Sequence, residues 1–352
     1  MGKQTEQGKA FEYACVNAIY EKYKDVQVIE VEESKQMKTA KRFFDGLDRM
    51  KRYNLILAAK AAIRIIEKLE PQLKYSSDNV PLILTIQTDA SGIAGDVRDL
   101  LCIRKQNNWH IGLSCKHNHH AVKHSRLSAT IDFGKEWFGK KCSQQYFSEV
   151  VPLFTELRKM RDESKLAGQP ILWNRIANKF DVYYAPILRA FMDELIRLDK
   201  QFPNEIPTLL IRYLIGRYDF YKVITDDRHR CTRVEVVNIA GTLNRSAEGH
   251  ETIVKVPLLK MPSKFYHIGF KDNSKNTIEV VCDEGWTVSM RLHNASSKVE
   301  PSLKFDVNLV SLPSSIHAQV EPWDNVEEEN YYNFRWDYMI AEEKERYGKK
   351  NK

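Results

Sequence analysis

The sequence lacks the features that mark membrane, secreted and disulfide-bonded proteins. It has no apolar run of the roughly 18 residues that a membrane-spanning helix needs, so we expect no membrane partner. No apolar block follows a charged N-terminus, so we expect no signal peptide. The six cysteines are scattered and none forms a CxxC pair, which disfavours a disulfide framework or a zinc knuckle. These absences predict a cytoplasmic protein with reduced thiols.

Positive charge is in excess and is unevenly distributed along the chain. The formal net charge is +7, but the stretch from Glu321 onward has nine acids and six bases, which leaves +10 on residues 1–320. A basic surplus of this kind suits a polyanionic partner such as nucleic acid. Hydrophobic residues make up 43% of the 352 positions, which is enough for a sizeable core.

Apolar spacing predicts helices and strands in a definite order. Helical spacing at 8–24 and 54–71 is followed by strand patterns at 81–87, 96–104 and 109–116, which favour an antiparallel meander. The polar stretch from 117 to 132 indicates a further helix. Beyond it, helical patterns fill the middle of the chain, and short strand patterns follow, among them one at 252–258.

The predicted fold class is therefore α/β (α+β), with a mixed sheet flanked by helices. We predict four segments: a nuclease catalytic core (1–142), a helical region (143–217), a β-rich DNA-recognition lobe (218–312) and a charged, aromatic tail (313–352). The helix–strand–strand–strand–helix order of the first segment is the core in which metal-dependent nucleases of the PD-(D/E)xK group place their active site.

The third strand pattern ends in a stretch that suggests nuclease chemistry. It reads IGLSCK, with Ser114 two positions before Lys116, where PD-(D/E)xK nucleases carry a carboxylate, any residue and a lysine. If the turn KQNN joins the strands, Asp99 faces Ser114 and shares a face with Lys116. Asp99 is thus the predicted metal-binding aspartate, and Asp96 replaces it if a bulge shifts the register. The alternative is an ordinary aspartate at a strand entry.

The serine leaves the predicted metal site short of oxygen ligands. A hard cation such as Mg²⁺ prefers about six oxygens, so Asp99 and the backbone carbonyl of Cys115 need a second acid. Glu12 is the first candidate because its helix packs against the sheet in this type of core; Asp132 is the second and Glu136 the third. The metal would stabilise the charge on the phosphate and activate a water, with the lysine near both.

Histidines cluster directly after the third strand, in HNHH followed by KH. A zinc site from Cys115, His117 and His120 would need a closed set of tetrahedral ligands, and no partner pair is evident elsewhere. The alternative is a polar surface that faces phosphates or bases. The residues predicted to bind DNA there are Asn118, Lys123, His124 and Arg126.

A second polar segment, RLHNASSKVEPSLKF, lies in the β-rich lobe. Amide and guanidinium groups read base edges, and lysines bind phosphates. The predicted DNA-binding residues of this segment are Arg291, Asn294, Lys298 and Lys304.

The run GDVRDLLCIRKQNNWHIGLSCKHNHHAVKHSRLSATIDFGKEWFG resembles the HaeIII-type restriction endonucleases, bacterial enzymes that cleave double-stranded DNA at GGCC. The resemblance returns in GKAFEYA, LIGRYDFYKV and SKNTIEVVCDEGWTVSMRLHNASSKVEPSLKFDV, so it covers most of residues 8–312. It implies a type II restriction endonuclease that uses Mg²⁺, cuts bluntly between the central G and C, and leaves a 5′-phosphate and a 3′-hydroxyl.

The resemblance also carries site residues and partners. It implies Asp99 with Lys116 on the paired strands, Glu12 on the first helix and Asp132 in the IDFG segment. A DNA methyltransferase of matching specificity is expected in the same cell. A palindromic site is read by a homodimer or by two successive binding events, and the sequence leaves both open.

Two other functions compete with this one. Because Ser114 replaces the usual acid, the chain could be a sequence-specific DNA-binding protein that kept the fold and lost the chemistry. The third hypothesis is a structure-directed DNA repair nuclease, which would prefer junctions or ends to a short intact site.

Overall fold

The computed structural model describes residues 3–76, 80–88, 95–117, 121–123, 125–247 and 249–326. The chain divides into two compact units. Unit 1 comprises residues 1–119, 219–258 and 317–352, and unit 2 comprises residues 120–218 and 259–316.

The helices of the described residues follow the predicted order. They are α1 (Lys3–Tyr23), α2 (Lys35–Asp45), α3 (Arg49–Leu69), α4 (Gln144–Leu166), α5 (Ala185–Gln201) and α6 (Ile206–Ile215). The predicted helices at 8–24 and 54–71 and the helical middle region are confirmed, whereas α2 was not predicted.

The strands of the described residues form two sheets. They are β1 (Ile29–Val31), β2 (Leu82–Ile86), β3 (Leu100–Arg104), β4 (Trp109–His117), β5 (Ala121–Lys123), β6 (Arg126–Ser128), β7 (Phe220–Asp226), β8 (Cys231–Val237), β9 (Phe265–Phe270), β10 (Thr277–Cys282), β11 (Thr287–Asn294), β12 (Ser302–Ser311) and β13 (His317–Pro322).

Unit 1 contains a mixed seven-stranded sheet in the order β1-β2-β3-β4-β7-β8-β13. The pairs β1–β2 and β4–β7 are parallel, and the other neighbours are antiparallel. The predicted antiparallel meander β2-β3-β4 is confirmed, and Arg104 faces Trp109 as the turn KQNN requires. The strands β7 and β8 differ from the predicted segments, because they join this sheet and not the β-rich lobe.

The core of unit 1 lies on one face of this sheet. Helices α1 and α3 pack there, and their apolar stripes meet strand residues such as Leu113, Cys115, Tyr221 and Val223, all of which are buried. Since successive strand residues point to opposite faces, Ser114 and Lys116 point to the other face.

Unit 2 contains a six-stranded sheet, in which β5, β12, β11, β10 and β9 follow one another and β6 pairs with β12. The prediction of a helix from 117 to 132 is wrong: β5 and β6 occupy this stretch and pair with β12. Arg126 and Ser128 flank the buried Leu127, so the residues alternate between two faces as strand residues do.

The strand predicted at 252–258 is also absent from the structure, which describes all of these residues. The side-chain amide of Asn244 and the backbone of α3 take backbone partners that a strand would have used. Asn244 Nδ2 donates to the carbonyl of Val254, and Asn244 Oδ1 accepts from the N–H of Val256. The N–H of Ile253 donates to the backbone carbonyl of Lys68 in α3.

Two further expectations concern the whole chain. All six cysteines are free thiols, as predicted. In the part of the chain that the structure describes, no helix is both long enough and apolar enough to cross a membrane. Residues 327–352 of the predicted tail lie outside the described residues.

Candidate active site

The backbone of the β3–β4 hairpin positions Asp99. Its N–H donates to Leu113 and its carbonyl accepts from Gln87, so the residue continues the pairing of β3 by one position. The side chain then points along β4, where Oδ2 accepts a hydrogen bond of 2.7 Å from the N–H of Cys115. Ser114 Oγ lies 3.4 Å from the same oxygen. The predicted juxtaposition of Asp99 and Ser114 is present.

Lys116 completes the hairpin part of the site. Its Nζ lies 3.4 Å from Asp99 Oδ2, and both side chains are about three-quarters buried. Burial lowers the pKa of Lys116, but the charge of Asp99, with smaller effects of Cys115 and Glu12, outweighs it and raises the pKa above its ordinary value. The negative groups around Lys116 therefore favour its charged ammonium form.

Glu12 reaches the same place from α1. The contact between Cys15 Sγ and Cys115 Sγ, 3.8 Å apart, holds this helix against β4. Lys9 Nζ donates to Glu12 Oε2 over 3.2 Å. Burial, and next the negative charge of Asp99, raise the pKa of Glu12 to about 8, while Lys9 and Lys116 oppose the shift.

The donor chemistry of Glu12 and Asp99 fits a divalent cation. A buried carboxyl group whose ionisation a neighbouring carboxylate disfavours, as Asp99 does for Glu12, is typical of a site whose charge a metal neutralises. The set is small: among the residues that the structure describes, no three His, Cys, Asp or Glu side chains form a metal-binding cluster. Asp99, Glu12 and the carbonyl of Cys115 would supply three oxygens, and waters and DNA phosphate would supply the others that Mg²⁺ requires.

Asp96, the predicted substitute for Asp99, is engaged elsewhere. Its Oδ1 accepts from Arg98 Nε over 2.8 Å, and its Oδ2 accepts from Gln87 Nε2 over 2.8 Å. Arg98 lies flat on β4 above Gly112, where an added Cβ would lie 2.1 Å from Arg98 Cδ. Gly112 therefore makes room for an ion pair that supports the hairpin beside the site.

Asp132 and Glu136 lie in unit 2. Asp132 Oδ1 accepts from the N–H groups of Lys135 and Cys142, over 2.9 and 3.0 Å. It thus caps the π-helical turn Gly134–Phe138, on which Glu136 is exposed. Burial raises the pKa of Asp132, but these hydrogen bonds outweigh it and hold the pKa below its usual value. The capping role accounts for Asp132 without a metal.

The residues of the zinc alternative point in different directions. Cys115 Sγ contacts Cys15 in the core, and His117 Nε2 lies 3.2 Å from Asp227 Oδ2. His120 lies outside the described residues. The observed contacts of Cys115 and His117 therefore give no support to a shared metal ion.

Several predicted DNA-binding residues share the outward face of the unit 2 sheet. Arg126 pairs with Lys304, which pairs in turn with His293, and facing residues of antiparallel strands point to the same side. Arg291 lies on this face too and forms a 2.7 Å ion pair with Asp306. Lys298 is exposed beyond the end of β11.

Of the remaining predicted DNA-binding residues, one lines a cavity and the others are not described or are described only in their backbone. Asn294 lines a cavity of about 370 Å³ together with Trp173 and Tyr184. Asn118 and His124 lie outside the described residues, and for Lys123 only the backbone, in β5, is described.

Lys9 is a site residue that the sequence analysis missed. Its position three residues before Glu12 is a helical ion-pair spacing, so the signal was present in the sequence. Such pairs are common on any solvated helix, so the spacing alone does not mark a site.

Comparisons with known proteins identify the family of the chain. A family model described as "HaeIII restriction endonuclease" matches residues 8–313. The chain is 37% identical over 322 residues to the type II restriction enzyme HaeIII of Haemophilus aegyptius, a match that covers 92% of this chain and 99% of the relative. No solved structure matches significantly.

Proposed function

This chain belongs to the HaeIII restriction endonuclease family and is a type II site-specific deoxyribonuclease, and we propose that it cleaves double-stranded DNA at GGCC, leaves blunt ends and uses Mg²⁺. The observation that carries the mechanism is the convergence of Asp99, Lys116 and Glu12, which come from two strands and a helix of unit 1. The GGCC specificity rests on the relative, which is similar over nearly its whole length.

Asp99 and Glu12 would hold the metal, together with the backbone carbonyl of Cys115. A bound Mg²⁺ supplies Lewis acidity at the phosphate and favours ionisation of a water. Asp99 is already oriented for this role, because the N–H of Cys115 holds one of its oxygens. Glu12 must lose the proton that its buried position favours before it can act as a ligand.

Lys116 serves the reacting phosphate as a cation. Attack of water on phosphorus builds negative charge on the non-bridging oxygens, and an ammonium group fixed nearby in a partly buried site stabilises that charge. The bond between phosphorus and the 3′ oxygen breaks as the new P–O bond forms; the attacking water loses a proton and the 3′ oxygen takes one up, which gives a 5′-phosphate and a 3′-hydroxyl. Ser114 contributes no charge; its hydroxyl group lies near Asp99 Oδ2.

DNA recognition is assigned to unit 2. Arg126, Lys298 and Lys304 would bind phosphates, and Arg291 and Asn294 would read base edges. Lys123 and His124 of unit 2 belong to the same proposal, as does Asn118, which falls in unit 1. Phosphate contacts make the affinity strongly dependent on salt concentration.

The proposal also covers the oligomeric state of the enzyme and its location in the cell. A palindromic site suits a homodimer, although two successive binding events would also cut both strands. The protein would act in the cytoplasm, where a DNA methyltransferase of the same specificity would protect the host DNA.

Digestion of a plasmid with many GGCC sites, with Mg²⁺ and with EDTA, tests the proposal when the fragment ends are sequenced. Discrete Mg²⁺-dependent fragments with blunt ends between the central G and C are expected. A plasmid that stays intact but is retarded on a gel would favour the binding protein without catalytic activity. Cuts that share no sequence would favour the structure-directed nuclease.

A further inference from the structure

A second lysine lies on the same sheet face as the active site. Lys222 of β7 is the register partner of Ser114 on β4, and partners on neighbouring strands point to the same side of a sheet. Its neighbours Tyr221 and Val223 point into the core. Lys222 therefore lies on the face that carries Asp99 and Lys116, one strand, or about 4.8 Å, from the strand of Lys116.

A buried carboxylate accompanies this lysine. Glu235 of β8 is the register partner of Lys222, and the Lys222 Nζ–Glu235 Oε2 distance is 3.5 Å, with each side chain only 8% exposed. A buried ammonium group is costly unless an opposite charge compensates it. Glu235 provides this compensation, so Lys222 can stay charged inside the protein.

Glu235 has a second and closer cationic partner. Arg233 Nε donates to Glu235 Oε1 over 2.9 Å, a shorter contact than that to Lys222. The carboxylate would therefore remain paired with Arg233 if the ammonium group of Lys222 moved away. The lysine is the loosely held member of this group of three.

Electrostatics support the proximity of the two lysines. Burial lowers the pKa of Lys222; Glu235 opposes this shift, and the positive charge of Lys116 adds to it. The two ammonium groups are thus close enough to repel each other. An anion between them, such as a phosphate, would relieve that repulsion.

We propose that Lys222 is a second phosphate-directed cation of the active site, held by Glu235 until DNA binds and then drawn to the reacting phosphate. The inference rests on the proposed function. It also gives a reason for the serine at position 114. An acid there would face Lys222 directly and neutralise it, whereas Ser114 leaves the charge of Lys222 available to the phosphate.

Three variants separate a catalytic role from a structural one. Lys222→Met removes the cation but leaves Glu235 with Arg233 alone. The double variant Lys222→Met/Glu235→Gln removes both buried charges, and neutral replacement of such a pair often preserves stability. Glu235→Gln alone keeps the lysine side chain but removes the carboxylate that compensates its charge. Each is assayed by thermal unfolding, by DNA binding in EDTA, and by single-turnover cleavage of a GGCC plasmid in saturating Mg²⁺.

We expect the double variant to unfold near the wild-type temperature, to bind DNA as the wild type does, and to cleave about 100-fold more slowly, the usual loss when one charge-stabilising group is removed. Glu235→Gln should have a rate between those of the wild type and the double variant, because Lys222 stays in place but holds its proton less readily without the carboxylate. A folded double variant with the wild-type rate would overturn the assignment of Lys222. Wild-type protein that does not cut refutes the proposed function itself.

Discussion

Asp99 Oδ2 accepts a 2.7 Å hydrogen bond from the backbone N–H of Cys115 on the adjacent strand. The acid is therefore oriented by the main chain of β4 and needs no partner side chain at position 114. This explains how a serine can occupy a position that usually holds an acid while Asp99 Oδ2 and Lys116 Nζ still lie 3.4 Å apart. We therefore expect the metal site to depend on Asp99 and on an acid from outside the hairpin.

Asp99→Asn should reduce cleavage at saturating Mg²⁺ by at least about 100-fold, because it removes a ligand charge at the reacting phosphate. The amide keeps the size of the side chain and an oxygen that can accept the N–H of Cys115. DNA binding in EDTA should therefore change little. Single-turnover rates on a GGCC plasmid, compared with gel shifts, measure the two effects.

Asp96→Asn is the matched control for Asp99→Asn. It weakens the ion pair with Arg98, so thermal stability should fall, while most of the cleavage rate remains. The reverse result, with Asp96→Asn inactive and Asp99→Asn active, would show that Asp96 holds the metal.

Glu12→Gln and Asp132→Asn distinguish the two acids proposed for the metal. Loss of the Glu12 carboxylate should raise the Mg²⁺ concentration for half-maximal cleavage at least about 10-fold, since changes around metal ligands commonly cost this much affinity. Asp132→Asn should leave that concentration unchanged and lower the melting temperature, because it weakens the cap of the Gly134–Phe138 turn. A Mg²⁺ titration of both variants distinguishes the two acids. If Asp132→Asn raises the Mg²⁺ concentration for half-maximal cleavage and Glu12→Gln does not, Asp132 is the ligand.

Cleavage should depend on pH through Glu12. Burial, and next the charge of Asp99, raise its pKa to about 8, so below this pH a proton competes with Mg²⁺ for the carboxylate. At limiting Mg²⁺ the rate should rise toward pH 8, by up to about tenfold per pH unit, and saturating Mg²⁺ should move the rise to lower pH.

The same group links pH to the stability of the metal-free protein. The folded pKa lies above that of the unfolded chain, so the unfolded state binds fewer protons between the two values. Stability from this group is present below the unfolded pKa and is lost as the pH rises toward 8. Thermal unfolding measured across this pH range, in EDTA and in Mg²⁺, tests this loss of stability. Glu12→Gln should abolish the difference in pH dependence between the two conditions. A rate profile with a midpoint independent of Mg²⁺ concentration would contradict the assignment.

Arg126→Ala and Lys304→Ala should weaken DNA binding at low salt. If each side chain contacts one phosphate, each variant should lower the slope of log K against log salt concentration by about 1. Lys159→Ala is the control, because Lys159 is an exposed lysine of unit 2 on helix α4, 3.9 Å from Glu163. Equal slopes for all three variants and the wild type would remove the outward face of the unit 2 sheet from the DNA interface.

Sequence alone determined the hairpin and its register. A short polar turn between two strand patterns sets which residues face each other, and the alternation of side chains then places Asp99, Ser114 and Lys116 on one face. These relations are local, because they depend only on turn length and on the two-residue period of a strand. The helices at 8–24 and 54–71 were predicted equally well, since their apolar stripes repeat at helical spacing.

Tertiary structure decided the contacts between residues that are far apart in the chain. Glu12 reaches Asp99 only because α1 packs against β4, and Lys222 lies beside Ser114 only because β7 pairs in parallel with that strand. The stretch after His117 forms strands and not a helix because β12 offers it a pairing edge, which its polar sequence does not reveal. A local pattern specifies periodicity but not the partner, so Glu12 was one of three candidate acids in the sequence, and Lys222 was not among the candidates.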